Sequence, residues 1–137
     1  MKNPQRIACL ADDSPKAQAA FAELSAQYDF IDIAGKRTKP DVIVALGGDG
    51  FMLQVLHKYM HRNIPVYGMN CGSVGFLLNS YNSQHLLERI EVARIATLYP
   101  LVMYTRTVDG KERQELAINE VSLFRESRQA AKLRVSI

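Results

Sequence analysis

Between Val42 and Leu46 five consecutive apolar residues, three of them β-branched, run without a polar break. A strand buried on both faces reads this way, as the central strands of parallel sheets do. The run stops at Gly47-Gly48-Asp49-Gly50, and beyond it Met52, Val55, Leu56, Tyr59 and Met60 recur at helical spacing. The pattern predicts a strand, a glycine turn and a helix. Upstream, Ile7 to Ala11 reads as a buried strand, and Asp12-Asp13-Ser14-Pro15 is a helix start, with Asp or Ser able to cap and Pro favoured at the first helical position. Ala17, Ala20, Phe21, Leu24 and Tyr28 then share one helical face, Phe30 to Ile33 is expected as a short strand, and Gly35 to Pro40 as a polar, basic loop. Pro65 to Met69 predicts another strand, and Leu86, Leu87, Ile90 and Ala93 a third helix.

After Ile95 the pattern changes. Thr97 to Val108 is rich in β-branched and aromatic residues, Asp109-Gly110 is a hairpin signal, and Glu115 to Phe124 is expected as the returning strand, carrying Asn119 and Glu120. Lys132 to Ile137 alternates, with Leu133, Val135 and Ile137 on one face, and reads as a half-buried strand whose partner is not yet written. The expected fold class is α/β: a parallel Rossmann-like sheet with flanking helices, followed by the first strands of a β-rich second domain. The domain reading is 1–95, an α/β nucleotide-binding domain, and 96–137, the start of a truncated β-rich C-terminal domain.

Composition adds little to this. A chain of 137 residues, 47% hydrophobic and 23% charged, is long enough for one domain with a core. A net charge of +3, with no basic run longer than Lys36-Arg37, gives no reason to expect nucleic acid as a partner. Cys9 and Cys71 lack the spacing of a zinc site or a disulfide framework, which fits reduced thiols and a cytoplasmic location. No signal-peptide core and no apolar stretch near 18 residues is present, so no membrane association is expected.

The candidate chemistry lies in the two glycine-rich stretches. Each follows a predicted strand, and ligands of parallel α/β sheets bind at the carboxyl ends of strands. Gly47, Gly48 and Gly50 carry no side chains and are free to take positive φ, so an anion can approach the main chain at the N-terminus of the following helix. Asp49 in such a turn would repel a phosphate. Either it accepts a proton from an attacking hydroxyl, or it meets the phosphate through a divalent metal, or it simply caps the helix. The turn is not a Walker loop, and Leu53 stands where a dinucleotide fingerprint needs its third glycine.

G-G-D-G after an apolar strand resembles the phosphate loop of the NAD kinases, shared more loosely with phosphofructokinases and with diacylglycerol and sphingosine kinases. G-M-N-C-G-S-V-G-F-L from Gly68 to Leu77 resembles the second glycine-rich segment of NAD kinases, and A-I-N-E-V from Ala117 to Val121 their Asn-Glu/Asp motif. The three occur in the family's order and cover nearly all of the chain from Val42 onward. The resemblance implies a phosphofructokinase/NAD kinase-like fold and phosphorylation of the 2′-hydroxyl of the adenosine ribose of NAD, with ATP or polyphosphate as donor and a divalent metal such as Mg²⁺. It implies that Gly47, Gly48 and Gly50 line the phosphates and that Asp49 is the catalytic base. Asn70, Gly75 and Phe76 would border the NAD pocket, and Asn119 and Glu120 would bind a ribose diol, for which an amide and a carboxylate are suited.

Nucleotides are the expected partners, and the full-length protein is expected to be a homo-oligomer. The fragment alone is expected to be inactive. Two alternatives stand beside the NAD kinase reading: a diacylglycerol-type lipid kinase sharing the G-G-D-G loop, and a non-catalytic nucleotide-binding or assembly subunit. Phe51, where many members of the wider group carry Thr, weighs against the lipid kinases. His57 and His61 have the spacing of a metal pair but lack the zincin Glu and a nearby third ligand, so they are read with His85 as surface residues, and no protein metal site is expected.

Overall fold

The computed structural model describes residues 4–34, 39–73 and 75–136. The chain forms two compact units, Met1–Leu98 and Tyr99–Ile137. In the first, β1 (Ile7–Ala11), β2 (Val42–Gly47), β3 (Val66–Asn70) and β4 (Asn79–Ser80) form one parallel sheet in the order β1-β2-β3-β4. The helices are α1 (Pro15–Ser25), α2 (Asp49–Tyr59), which ends in a 3-10 turn over Met60–Arg62, and α3 (Leu86–Val92).

The apolar periods dictate the layers. Every residue of β2 is buried, as its unbroken apolar run requires. Its side chains alternate between two cores: Val42, Val44 and Leu46 pack with Ala17, Ala20 and Leu24 of α1 and Leu86 and Ile90 of α3. Ile43 and Ala45 pack with Met52, Val55 and Tyr59 of α2. Burying a Val, Leu or Ile side chain completely is worth about 1.5–3 kcal/mol, so this strand is the largest single contributor to the core. The Asp12–Pro15 signal works as expected. Ser14 Oγ accepts the Ala17 N–H at 3.3 Å, and Pro15 opens α1.

Phe30 to Ile33 is not a strand. A single rung joins it to β1, from the Ile31 N–H to the Ile7 carbonyl at 2.8 Å, before the Asp32 side chain turns the backbone by accepting the Ala34 N–H. Phe30 instead stacks on Phe21, ring centroids 6.3 Å apart. That one rung still fixes the topology. The Arg6 carbonyl points toward β2, where it accepts the Asp41 N–H, so the Ile7 carbonyl points to the opposite edge. The chain therefore leaves α1 along the outer edge of β1 and only then crosses back to β2. Successive connections run in opposite directions, and because parallel crossovers are almost always right-handed, α1 and α2 fall on opposite faces of the sheet. The carboxyl ends of β1 and β2 flank this switch point, the place where α/β sheets open a binding crevice.

Three further departures concern shorter pieces. The two-residue β4 was not expected from the sequence. Of the basic loop over Gly35 to Pro40, residues 35–38 lie outside the described residues. In the second unit, β5 (Leu101–Arg106) and β6 (Glu112–Ala117) pair antiparallel, Leu101 opposite Ala117 and Arg106 opposite Glu112. The expected Asp109-Gly110 turn closes the hairpin. Gly110 takes φ 82°, where glycine is needed, and the Thr107 N–H donates to the Lys111 carbonyl. The returning strand stops at Ala117, so Asn119 and Glu120 follow it instead of riding on it. Residues 132–136 form no strand: Leu133 and Val135 are exposed, so the alternation there finds no neighbouring strand to pair with, and Ile137 lies outside the described residues.

Candidate functional site

β2 ends at the switch point on Gly47. Its carbonyl accepts the Cys71 N–H at 2.9 Å, tying the first glycine turn to the loop after β3. A Cβ on Gly47 would sit 2.6 Å from Asp12 Oδ2 and 2.9 Å from Phe51 Cβ, so any larger residue forces its neighbours to shift. Gly48 is the N-cap of α2 at φ −103°, ψ −178°, and its carbonyl accepts the Met52 N–H. The expected use of positive φ at Gly47, Gly48 and Gly50 is therefore corrected. Among the described residues Gly110 is the positive-φ glycine, because an extended Gly48 leads directly into the helix without a left-handed residue. Gly47 serves space, not angle, whereas a Cβ at Gly48 or Gly50 would meet nothing within 4 Å, so the fold itself does not require glycine at those two positions. The first N–H groups of α2, which have no intrahelical acceptor, open onto this end of the sheet.

Asp49 is the first residue of α2, and its side chain does not cap the helix. Its carboxylate is held by the second glycine-rich loop: Oδ2 accepts the Phe76 N–H at 2.8 Å and Oδ1 the Leu77 N–H at 3.2 Å. Gly75 makes this approach possible, since a Cβ there would lie 3.0 Å from Asp49 Oδ1 and 3.2 Å from Asn70 Nδ2. Asn70, the last residue of β3, turns the chain by accepting the Gly72 N–H on Oδ1 at 2.8 Å. The loop is anchored at its far end by Leu78, which sits where a side chain on Gly68 would be. Phe76 itself is 92% exposed, so its ring is not a core residue. Val74 lies outside the described residues.

The structure thus brings Gly47, Gly48, Asp49, Gly50, Asn70, Gly75 and Phe76 to one end of the sheet of the first unit. Asn119 and Glu120 belong to the second unit, where both are exposed. Two contributors escape a side-chain reading of the sequence. Leu77 acts through its backbone N–H, and Asp12, at the carboxyl end of β1, reads only as part of a helix start. The sequence signal for Asp12 is an acidic residue directly after a buried strand.

Burial pushes the Cys9 thiol up to about 12, with the neighbouring Cys71 adding to it, and raises Cys71 together with the charge of Asp12. Both thiols are protonated and free near neutral pH. His57, His61 and His85 are exposed, and among the described residues no group of three or more His, Cys, Asp or Glu side chains is arranged to hold a metal ion. No helix, among the described residues, is long and apolar enough to cross a membrane.

Residues 11–95 match the family model described as the ATP-NAD kinase N-terminal domain. An NAD kinase from Caulobacter vibrioides is 49% identical over 132 residues, which is 96% of this chain and 49% of that protein. One from Brucella suis is 52% identical over 116 residues, 83% of this chain and 45% of that protein. One from Rickettsia bellii is 41% identical over 98% of this chain and 51% of that protein. The chain spans about half the length of the curated relatives it matches. The match runs from the end of β1 through α3 and takes in both glycine-rich loops and the Asp49 clasp, so the chain belongs to the NAD kinase family.

Proposed function

We propose that the protein carrying this chain transfers a terminal phosphoryl group from ATP, or from polyphosphate, to the 2′-hydroxyl of the adenosine ribose of NAD, forming NADP. Asp49 takes the hydroxyl proton. The ribose oxygen bonds to the terminal phosphorus as the bond to the donor's bridging oxygen breaks, and ADP or the shortened polyphosphate leaves. The observation that carries this reading is the Asp49 clasp. A carboxylate used only as a cap would turn back onto its own helix, whereas this one is held by two amides of another loop at the strand ends. A carboxylate has roughly four acceptor sites, so two stay open for a substrate hydroxyl.

Gly47, Gly48 and Gly50 would line the phosphates, with open space over Gly48 and Gly50 supporting that use. Asn70, Gly75 and Phe76 would border the NAD site, and Asn119 and Glu120 would bind the ribose diol. We assign residues 1–95 to the nucleotide-binding domain and 96–137 to the start of a β-rich one, within a cytoplasmic homo-oligomer. A divalent cation such as Mg²⁺ fits as a companion of the phosphates, because Mg²⁺ takes one or two carboxylates plus phosphate oxygens and Asp49 and Asp12 both stand at the strand ends. When bound, it neutralises phosphate charge.

The relatives named above favour NAD over a lipid as acceptor. Protein expressed from the complete gene should form NADP from NAD with ATP or polyphosphate and should not phosphorylate diacylglycerol. Binding of NAD and ATP without turnover would establish a nucleotide-binding subunit instead and remove the kinase reading.

A further inference from the structure

The loop after β3 is fixed at both ends. Cys71 is pinned through its N–H to Gly47, and Leu78 is seated over Gly68. Between these points the side chains of Phe76 and Leu77 are 92% and 49% exposed, so they contribute little burial of their own. What holds this stretch is the Asp49 carboxylate, through the two amides. The same bonds run the other way: whatever orders Phe76 and Leu77 also orders Asp49. An aromatic ring left in water, on the residue whose backbone amide holds the carboxylate, is a surface that a planar heterocycle covers by stacking.

We infer that Phe76 is a positioning residue for Asp49: a nucleotide base stacked on its ring orders residues 75–77, and the Phe76 and Leu77 amides convey that order to the carboxylate. This rests on the NAD kinase reading. Binding energy gathered on the base, away from the reacting atoms, is thereby used to align the proton acceptor, which raises kcat and does more than lower KM. The coupling is reciprocal, so loss of the Asp49 acceptors also loosens the surface that receives the base.

A kinetic double-mutant cycle in protein expressed from the complete gene tests this. Phe76→Ala, at an exposed position, is expected to fold normally and to lower kcat roughly ten- to hundredfold in addition to raising KM for NAD. Asp49→Asn removes the proton acceptor and half of the link, because its oxygen can keep one of the two amides while its NH2 group turns a donor toward the other backbone donor. In that background Phe76→Ala is expected to change kcat by less than about twofold. Phe76→Tyr keeps the ring and should restore kcat to within about twofold of wild type. Hydrogen exchange at the Leu77 amide should slow on adding NAD to the wild type, and much less in Phe76→Ala. A Phe76→Ala effect confined to KM, or a kcat loss that multiplies fully with that of Asp49→Asn, overturns the inference. A wild-type protein that makes no NADP overturns the function itself, a result distinct from either.

Discussion

Gly47 and Gly48 are adjacent and identical in type, yet the structure gives them opposite roles, which a pair of alanine substitutions separates. At Gly47 a methyl group would meet Asp12 Oδ2 at 2.6 Å and the Cβ and Cδ1 of Phe51 at 2.9 Å. Phe51 Cβ lies close to the helix backbone and cannot swing aside. Asp12 is tied as well, with Oδ1 accepting the Ser14 N–H and its own N–H bonded to the Leu46 carbonyl. Overpacking of this kind costs about 1–3 kcal/mol. Alanine also reduces the freedom of the unfolded chain, which returns about 0.4–1 kcal/mol. The difference spans about 0–2.6 kcal/mol, and its centre, a loss of about 1.3 kcal/mol or roughly 5–10 °C in Tm for a unit of this size, is the net expectation for Gly47→Ala. At Gly48 the added methyl meets nothing, and φ −103° suits alanine. Alanine is a somewhat poorer N-cap than glycine, and that loss and the entropic gain cancel to within about 0.5 kcal/mol. Thermal unfolding followed by circular dichroism measures both. Activity should reverse the order of interest: Gly48→Ala fills the space assigned to the phosphates and should raise KM for the phosphoryl donor in a protein of unchanged stability. Equal stability losses for the two variants, or a silent Gly47→Ala, would refute the packing account of Gly47.

Asp49→Asn should leave the circular dichroism spectrum unchanged and lower kcat by about 10²–10⁴, and near-wild-type turnover would remove Asp49 as the base. Asn119→Ala should weaken NAD binding by about 1–3 kcal/mol in titration calorimetry on protein from the complete gene, and unchanged affinity would take Asn119 out of the site. The Arg6 N–H, the Arg6 guanidinium and the Gln5 N–H hold the Asp41 carboxyl below its usual range. A depressed folded value means that its contribution is present above the unfolded value near 3.8 and is lost as pH falls through the folded one, so Asp41→Asn should flatten the acid limb of stability below about pH 4. An acid limb identical to wild type would show that the Arg6–Asp41 contact adds nothing. The 137-residue chain alone should form no NADP while protein from the complete gene does, and its exposed Tyr104, Leu123 and Phe124 should favour self-association in sedimentation experiments. Equal activity of the two would place the whole site within these residues.

What was legible in the sequence is what repeats. The apolar run of β2, the helical period from Met52 to Tyr59, the Ser14-Pro15 start and the Asp109-Gly110 turn are local signals, and each produced the element expected. Asn79–Ser80 is too short to carry a period, and Phe30 to Ile33 carries a strand composition whose backbone makes one rung and then follows Asp32 into a turn. The candidate site divides the same way. That Asp49 sits in a glycine turn at the end of a strand can be read directly. That it is gripped by Phe76 and Leu77 cannot, because the gripping groups are backbone amides, which every residue except proline supplies. Gly47 and Gly75 are visible as glycines, but the reasons for them, the Asp12 carboxylate and the Asp49–Asn70 pair, lie 35 residues upstream of the one and, in the case of Asp49, 26 upstream of the other. The side chains that mark this family thus say where a phosphate would approach. The orientation of the carboxylate that would take the proton of the attacking hydroxyl is set by main chain, and only folding brings that main chain into place.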